Sequence, residues 1–485
     1  MSHPPAGLTW HGYLVQLLHI ASSIEHALMV QYLFAAYSLN DGVEDSEFRK
    51  KVVLWRNLIL SIAKEEMGHL LTVQNVLCLL GGPVELVREN FPWDSDFYPF
   101  EFRLERLTVG CLACYLHAEM SDCVLDLPRE LKPLAQRAEK AVQQHLKERS
   151  ERIRMPLPDL QRRGVHQISV LYQCIIGILA DRDKIPDSVL DYGSVRFQAS
   201  MDEWGRGYGT AITTEGAYAA AKVADSGHAL MNFRKRREEI ENTATHANTI
   251  IATAATRQQA IDALMSIAEQ GDASDSRSAG SHFERLGLIM KQFLDLRARR
   301  GNQWEPPTHF VADDPHTVLS NEQSDESTIT YAYSATWANL FNLRYRMLLM
   351  YLTHSFQIAR DGRRAYLRGA IMHKVFAEMY NLKAIAGILV RLPLKDQSNA
   401  LRAGPPFQMP YTLALPMEAI DRWRLHRDLV CGALELNHHL QNAKQSSSSV
   451  AQLRLLSLMQ DLDGNSAEWI EQVIVGLARG GFSSP

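Results

Sequence analysis

The hexapeptide KEEMGH at residues 64–69 decides the fold, because it sets acidic and imidazole groups in the middle of an otherwise apolar helical run. Glu66 and His69 are three residues apart, so both side chains project from one face of a helix. A carboxylate oxygen and an imidazole nitrogen on adjacent turns can bind one cation such as iron or manganese. The spacing is common, so it predicts a metal site only together with further acidic residues on neighbouring helices.

Glu25 is a second acidic residue in an apolar setting. It lies within the apolar run 24–37, in the middle of a helix predicted over about 8–39. A carboxylate in such a place is costly unless it is paired or coordinates a cation. Its interpretation as a metal ligand competes with a buried salt bridge to Lys64 or Arg56.

A second long helix is predicted from about 46 to 80, with Ser46 as its N-cap and the glycines before Pro83 at its end. A short loop joins it to the first helix, so the two helices should pack antiparallel as a hairpin of a bundle. This arrangement allows Glu25 and Glu66 to face each other.

Helical periodicity dominates the remaining chain, and few convincing strand patterns occur. The crossover and insertion occupy about 83–254, including the least regular part of the chain at 182–245. Further helices are predicted at about 104–124, 132–150, 164–181, 255–271 and 281–299. The predicted class is all-α, with a four-helix bundle in 1–300, a polar linker at 301–327 and a C-terminal helical domain at 328–485.

The composition of the 485-residue chain is that of an ordinary globular protein, with 46% hydrophobic and 22% charged residues. The net charge of -4 gives no reason to expect nucleic acid or a membrane surface as a partner. No N-terminal stretch has the pattern of a signal peptide, and no apolar run predicts a transmembrane helix. We therefore expect a cytoplasmic protein in which the C-x-x-C pair, Cys111 and Cys114, packs in the core.

Several segments give the chain a specific family resemblance. They are residues 20–33, 65–75, 98–100, 104–107, 171–172, 269–272, 281–285 and 403–407. In these segments the sequence is similar to the ferritin-like iminophenyl-pyruvate dimer synthase family, which includes the violacein-pathway enzyme and its relatives in indolocarbazole biosynthesis. The first 110 residues carry the most specific part of this similarity.

The resemblance implies a ferritin-like bundle whose metal ligands are Glu25, Glu66 and His69, joined by Glu269 and His282. It implies one or two iron ions as cofactor, with manganese as an alternative. The sequence agrees in part, because Glu269 ends one predicted helix and His282 begins the next. His282 is equally well interpreted as a residue of an N-terminal helical turn.

One position departs from the symmetrical di-metal pattern. A second Glu-x-x-His would need a carboxylate three residues before His282, where this chain has Ala279. Asp272 or Asp275 from the loop are candidate replacements, and Glu119 is a further reserve carboxylate. The departure bears on di-iron chemistry more than on metal binding itself.

The expected function is that of a non-haem iron-dependent oxidative enzyme of specialised metabolism. Its substrate would be a small amino-acid-derived molecule, oxidised or coupled as an imine or enamine, with O2 or peroxide as oxidant. A homo-oligomer is compatible with the sequence. The alternatives are a catalytically inactive ferritin-like partner protein, for which Ala279 is the best support, and a ferroxidase or iron-binding protein.

Overall fold

The computed structural model describes most of the chain, and its described residues are helical wherever they are regular. The described ranges are 4–5, 7–93, 101–119, 168–204, 251–271, 281–317, 326–362, 364–396, 400–443 and 449–479, with scattered helical positions between 133 and 151. Within these ranges the extended backbone forms only isolated bridges and no β-strand. The predicted all-α class is therefore confirmed.

The chain divides into two compact units. The first contains Met1–Gln198 and Thr243–His309, and the second contains Ala199–Asn242 and Phe310–Pro485. The segment predicted as a linker is divided between them. The amide of His309 donates to the carbonyl of Ser38 in the first unit, whereas Ala312 and Arg402 are joined by a backbone hydrogen bond in the second.

The first unit begins with the predicted helical hairpin, formed by α1 (Trp10–Ser38) and α2 (Ser46–Leu79). Asp45, and not the predicted Ser46, is the N-cap of α2, because its carboxylate accepts hydrogen bonds from the first free amides. His11 near the start of α1 contacts the carbonyl of Leu80 at 2.7 Å, just beyond the end of α2. The two helices are therefore antiparallel.

The remaining described helices of the first unit are α3 (Val109–Ala118), α4 (Ile168–Ala180), α5 (Arg257–Gly271) and α6 (His282–Arg300). Trp55 of α2 shows how they share one core. Its ring lies edge-on against Phe293 of α6 with centroids 4.8 Å apart, and its indole nitrogen donates to Gln292 at 2.8 Å. The buried faces of α1, α2 and α6 thereby fix the positions of the polar residues that they carry.

The second unit contains α7 (Ala332–Ser355), α8 (Ala365–Leu389), α9 (Ala419–Asn442) and α10 (Val450–Ala478). Its core includes a fully buried guanidinium, that of Arg344 on α7. Arg344 pairs with Glu378 of α8 at 3.2 Å and with Asp463 of α10 at 2.5 Å. Because each buried charge has a partner, this network joins three helices without leaving an isolated ion in the core.

Helix α1 has the length and apolar composition of a membrane-crossing segment, but most of that segment is buried inside the protein. A core helix of a soluble protein passes the same test of length and composition. Packing in the core of the first unit therefore explains the apolar composition of this helix.

Some predicted features lie outside the described residues. They include Ala279, Asp272 and Asp275 before α6, residues 98–100 of the crossover, and the part of the insertion at 205–250. The predicted helix at 132–150 is described only at scattered positions, and these are helical.

Candidate metal centre

The first group of converging side chains joins α1 and α2. Glu25 comes from α1, and Glu66 and His69 come from adjacent turns of α2. Nδ1 of His69 lies 2.9 Å from Oε2 of Glu66 and 3.4 Å from Oε2 of Glu25. All three residues are at most 2% exposed. Two facing helices therefore bring two carboxylates and one imidazole together as a compact set of possible metal ligands.

A second group lies on the other side of Glu66. It contains Glu119, the C-cap residue of α3, and His282, the first residue of α6. Nδ1 of His282 lies 3.0 Å from Oε1 of Glu66 and 3.4 Å from Oε2 of Glu119. Within each group the candidate ligand atoms all lie within 4.8 Å of one another. Glu66 belongs to both groups and directs one oxygen toward each.

The outer nitrogen of each histidine has a different partner. Nε2 of His69 donates to Oε1 of Gln270 at 2.7 Å. Nε2 of His282 donates to Oε2 of Glu65 at 2.9 Å, and Arg285 pairs with the same carboxylate. The two rings are stacked with centroids 5.5 Å apart. These contacts orient both rings so that their Nδ1 atoms face the carboxylates.

This orientation is suited to a bound cation. When Nε2 carries the donated hydrogen, Nδ1 of a neutral imidazole has only a lone pair, and it faces carboxylate oxygens. Oε2 of Glu25, Oε1 of Glu66 and Nδ1 of His282 are buried and lack a well-oriented hydrogen bond to any residue in the described ranges. A cation in each group would satisfy these atoms, with Oε2 of Glu25 in the first group and the other two atoms in the second. Carboxylate with imidazole is the donor set that iron and manganese accept.

The pKa values describe how protonation offsets the charges of these carboxylates and histidines. Burial and the charge of Glu66 raise the pKa of Glu25 to about 7. Burial opposes the charging of His69, but its hydrogen bonds to Glu25 and Glu66 outweigh this effect and raise its pKa to about 10. Burial also disfavours ionised Glu66, yet the charge of His282 lowers the pKa of that carboxyl. Protons on these groups thus offset the buried carboxylate charges, and binding of a metal ion would displace such protons.

Two tyrosines contact the outer carboxylates in the same way. The hydroxyl of Tyr172 on α4 donates to Oε1 of Glu25 at 2.5 Å. The hydroxyl of Tyr32 on α1 donates to Oε1 of Glu119, also at 2.5 Å. In each carboxylate the other oxygen, Oε2, is therefore left facing the neighbouring histidine.

The structure brings together four of the five predicted ligands, Glu25, Glu66, His69 and His282. Glu269 belongs to neither group, and its side chain is exposed on α5. Successive residues of a helix point about 100° apart, and it is the next residue, Gln270, that contacts His69. The competing salt bridges to Glu25 are absent among the described contacts, since Arg56 pairs with Asp41 at 2.8 Å and Lys64 is exposed.

Other residues of the centre were only partly indicated by the sequence. Glu119 was one of the reserve carboxylates, and the structure places its Oε2 3.4 Å from Nδ1 of His282. Glu65 is adjacent to Glu66 in the sequence, and the structure buries it. Arg285 and Gln270 lie in segments of family resemblance, but no local pattern indicated their contacts, because their partners are distant along the chain.

Comparisons with known proteins agree with a ferritin-like domain in the first part of the chain. Residues 18–187 match the family model described as Ferritin-like. Dichlorochromopyrrolate synthase of Lentzea aerocolonigenes is 24% identical over 432 residues, which cover 82% of this chain and 36% of the relative. The chain therefore spans about a third of that protein's length. No solved structure gave a significant match.

Proposed function

Given that residues 18–187 carry a ferritin-like domain, we propose that this protein is an iron-dependent oxidative enzyme of specialised metabolism. The proposed ligands are Glu25, Glu66 and His69 at a first position, and Glu66, Glu119 and His282 at a second. This set replaces the predicted Glu269 with Glu119. Manganese is the alternative metal, because the same donors suit both ions.

The division of Glu66 between the two groups carries this proposal. Its Oε2 lies 2.9 Å from Nδ1 of His69, and its Oε1 lies 3.0 Å from Nδ1 of His282. A carboxylate with one oxygen in each group is suited to bridging two cations. Iron held in this way would supply the electrons for the reduction of O2 or peroxide.

The chain's own residues would prepare that chemistry. The carboxylates set the charge of the centre, and the outer partners of the histidines hold the rings in the tautomer whose Nδ1 can bind metal. Burial of all five ligands excludes bulk water, which strengthens the electrostatic interactions inside the centre.

The substrate class is proposed from two considerations. The relative named above is a synthase, and the family resemblance implies an amino-acid-derived imine or enamine. We propose that such a molecule is oxidised or coupled at the centre. Cytoplasmic location and the absence of nucleic-acid or membrane partners remain predictions from the sequence.

Anaerobic incubation with Fe(II), followed by a count of tightly bound iron per chain, tests this proposal. Two ions per chain and an absorption change on admission of O2 are expected. Glu66→Ala should abolish binding at both positions with little change in helicity. Glu269→Ala is the matched control, because it removes an exposed carboxylate outside both groups, and it should retain iron.

Unchanged iron in Glu66→Ala, or iron lost in Glu269→Ala, would contradict the ligand assignment. The oxidative activity is tested separately, by offering the iron-containing protein an enamine of an amino-acid-derived keto acid and following its oxidation by mass spectrometry. Consumption of O2 without substrate oxidation would instead favour the ferroxidase alternative. A protein that folds but binds no metal would favour the alternative of an inactive partner protein. The position of Glu119 beside His282 argues against that alternative, because it offers a carboxylate where Ala279 cannot.

A further inference from the structure

We propose that Glu65 and Gln270 make the two metal positions unequal, so that the position at His282 binds a divalent cation more tightly than the position at His69. This inference rests on the proposed function, since it requires that both groups bind metal. Glu65 and Gln270 act through the histidines and are positioning residues.

The two positions are otherwise closely matched. Each shares Glu66, and each has a histidine Nδ1 that lies about one hydrogen-bond length from it, at 2.9 Å for His69 and 3.0 Å for His282. Each has an outer glutamate whose Oε2 lies 3.4 Å from that nitrogen. Each outer glutamate also accepts a tyrosine hydroxyl at 2.5 Å. The principal difference therefore lies behind the histidines.

The acceptor behind His69 is a neutral amide, whereas the acceptor behind His282 is a carboxylate. Nε2 of His69 donates to Gln270 at 2.7 Å, and Nε2 of His282 donates to Glu65 at 2.9 Å. Glu65 is 1% exposed, and Arg285 holds it by a direct ion pair while donating to Ser61 at 2.8 Å. The guanidinium keeps this carboxylate ionised and fixed in orientation.

A negatively charged acceptor withdraws the ring hydrogen more strongly than an amide and makes the opposite nitrogen a better electron donor. Partners of this kind typically change metal affinity by about 10–100-fold when they are removed. This effect favours the position at His282, so this position should fill first and the position at His69 should exchange more readily.

An anaerobic optical titration of the full-length protein with Co(II) tests the inference. Cobalt replaces iron as a spectroscopic ion, so the readout is independent of activity. The wild-type protein should bind in two steps separated by at least about tenfold in affinity. Glu119→Ala should remove the tighter step, and Glu25→Ala should remove the weaker one, because each residue belongs to a single group.

Glu65→Gln reproduces at His282 the amide that already stands behind His69. It should weaken the tighter step by about 10–100-fold and leave the weaker step unchanged. Gln270→Ala is the matched control and should leave the tighter step unchanged. If Glu65→Gln fails to fold, Gln270→Glu provides an independent test, because a carboxylate behind His69 should tighten the weaker step by a similar factor.

The possible failures are distinguishable. Two equal steps in the wild-type protein, or a Glu65→Gln variant in which both steps shift alike, would overturn this inference and leave the proposed metal centre intact. A tighter step that depends on Glu25 and not on Glu119 would also overturn it. Absence of any bound cobalt in the folded wild-type protein would overturn both the inference and the proposed function.

Discussion

Two tyrosines determine which oxygen of each outer carboxylate faces a histidine. The hydroxyl of Tyr172 binds Oε1 of Glu25, so that Oε2 remains directed at His69. Tyr32 does the same for Glu119 on the opposite side. A hydrogen bond to a charged group contributes about 1.5–3 kcal/mol, which is enough to hold a buried carboxylate in one orientation.

Tyr172→Phe should therefore weaken the metal position that contains Glu25. Without the hydrogen bond that orients Glu25, the metal-binding free energy should fall by about 1.5 kcal/mol, which is roughly a tenfold weaker affinity. The position that contains Glu119 should be unaffected. Titration with Co(II) measures both. Tyr115→Phe is the matched control, because Tyr115 is buried in the same bundle but donates to the backbone of Gln31 at 3.2 Å. Equal effects of both substitutions would show that the tyrosine acts only through packing.

The sequence indicated most of the centre at this scale, but not its outer partners. Glu25, Glu66 and His69 were found because charged residues in long apolar helices require an explanation. Glu269 and Gln270 are adjacent at the end of a helix, and their side chains point about 100° apart, so only one of them can face the core. The interactions of Glu65 with Arg285 and of Tyr172 with Glu25 join residues 220 and 147 positions apart, so no local pattern predicts them.

At the scale of elements, the ends of helices are fixed by side chains from other helices. Arg257 at the start of α5 donates to two carbonyls: that of Leu179 at the end of α4 and that of Ile185 just beyond it. It also pairs with Asp187 at 2.7 Å. Carbonyls at a helix C-terminus lack partners within the helix, so a buried guanidinium is an effective substitute.

Arg257→Ala should lower the free energy of unfolding by about 3 kcal/mol, because it leaves buried carbonyls without a donor. Urea denaturation followed by circular dichroism measures the change. Arg182 contacts the same Asp187 at 3.2 Å but is 74% exposed, so Arg182→Ala should cost less than about 1 kcal/mol. Similar losses in the two variants would contradict the role assigned to the buried carbonyl contacts.

In the second unit, α7 and α9 are joined by a buried histidine pair. Nδ1 of His354 lies 2.9 Å from Nε2 of His426. Burial lowers the pKa of His426 to about 3, with Lys374 acting in the same direction, and burial lowers the pKa of His354 well below its usual value, helped by His426 and Arg422. Both histidines are therefore neutral in the folded protein.

The stability of this unit should decrease in mild acid. Unfolded histidine has a pKa of about 6.5, so between pH 6.5 and 3 the unfolded chain binds protons that the folded His426 does not. Stability is fully present above pH 6.5 and is lost on acidification, at about 1.4 kcal/mol per pH unit for this residue. Urea midpoints measured between pH 7 and 5 should fall less steeply in His426→Gln. Parallel pH profiles for the two proteins would contradict the assignment.

At the scale of the whole molecule, hydrophobic periodicity predicted the helices, since long amphipathic and apolar runs leave a strong local signal. It did not predict which segments belong together. Residues 199–204 follow the first unit in sequence but belong to the second, where Glu203 pairs with Arg368 at 2.6 Å. The two partners are 165 residues apart, so only the folded chain shows that they meet.

The central claim is that Glu66 would contribute one oxygen to each of two metal positions in the ferritin-like domain. Anomalous X-ray diffraction from crystals of the protein soaked with Fe(II) or Mn(II) tests it most directly. Two anomalous peaks about 3.5–4 Å apart are predicted, one among Glu25, Glu66 and His69 and the other among Glu66, Glu119 and His282. No peak beside Glu66, or a peak that includes Glu269 in place of Glu119, would contradict the claim.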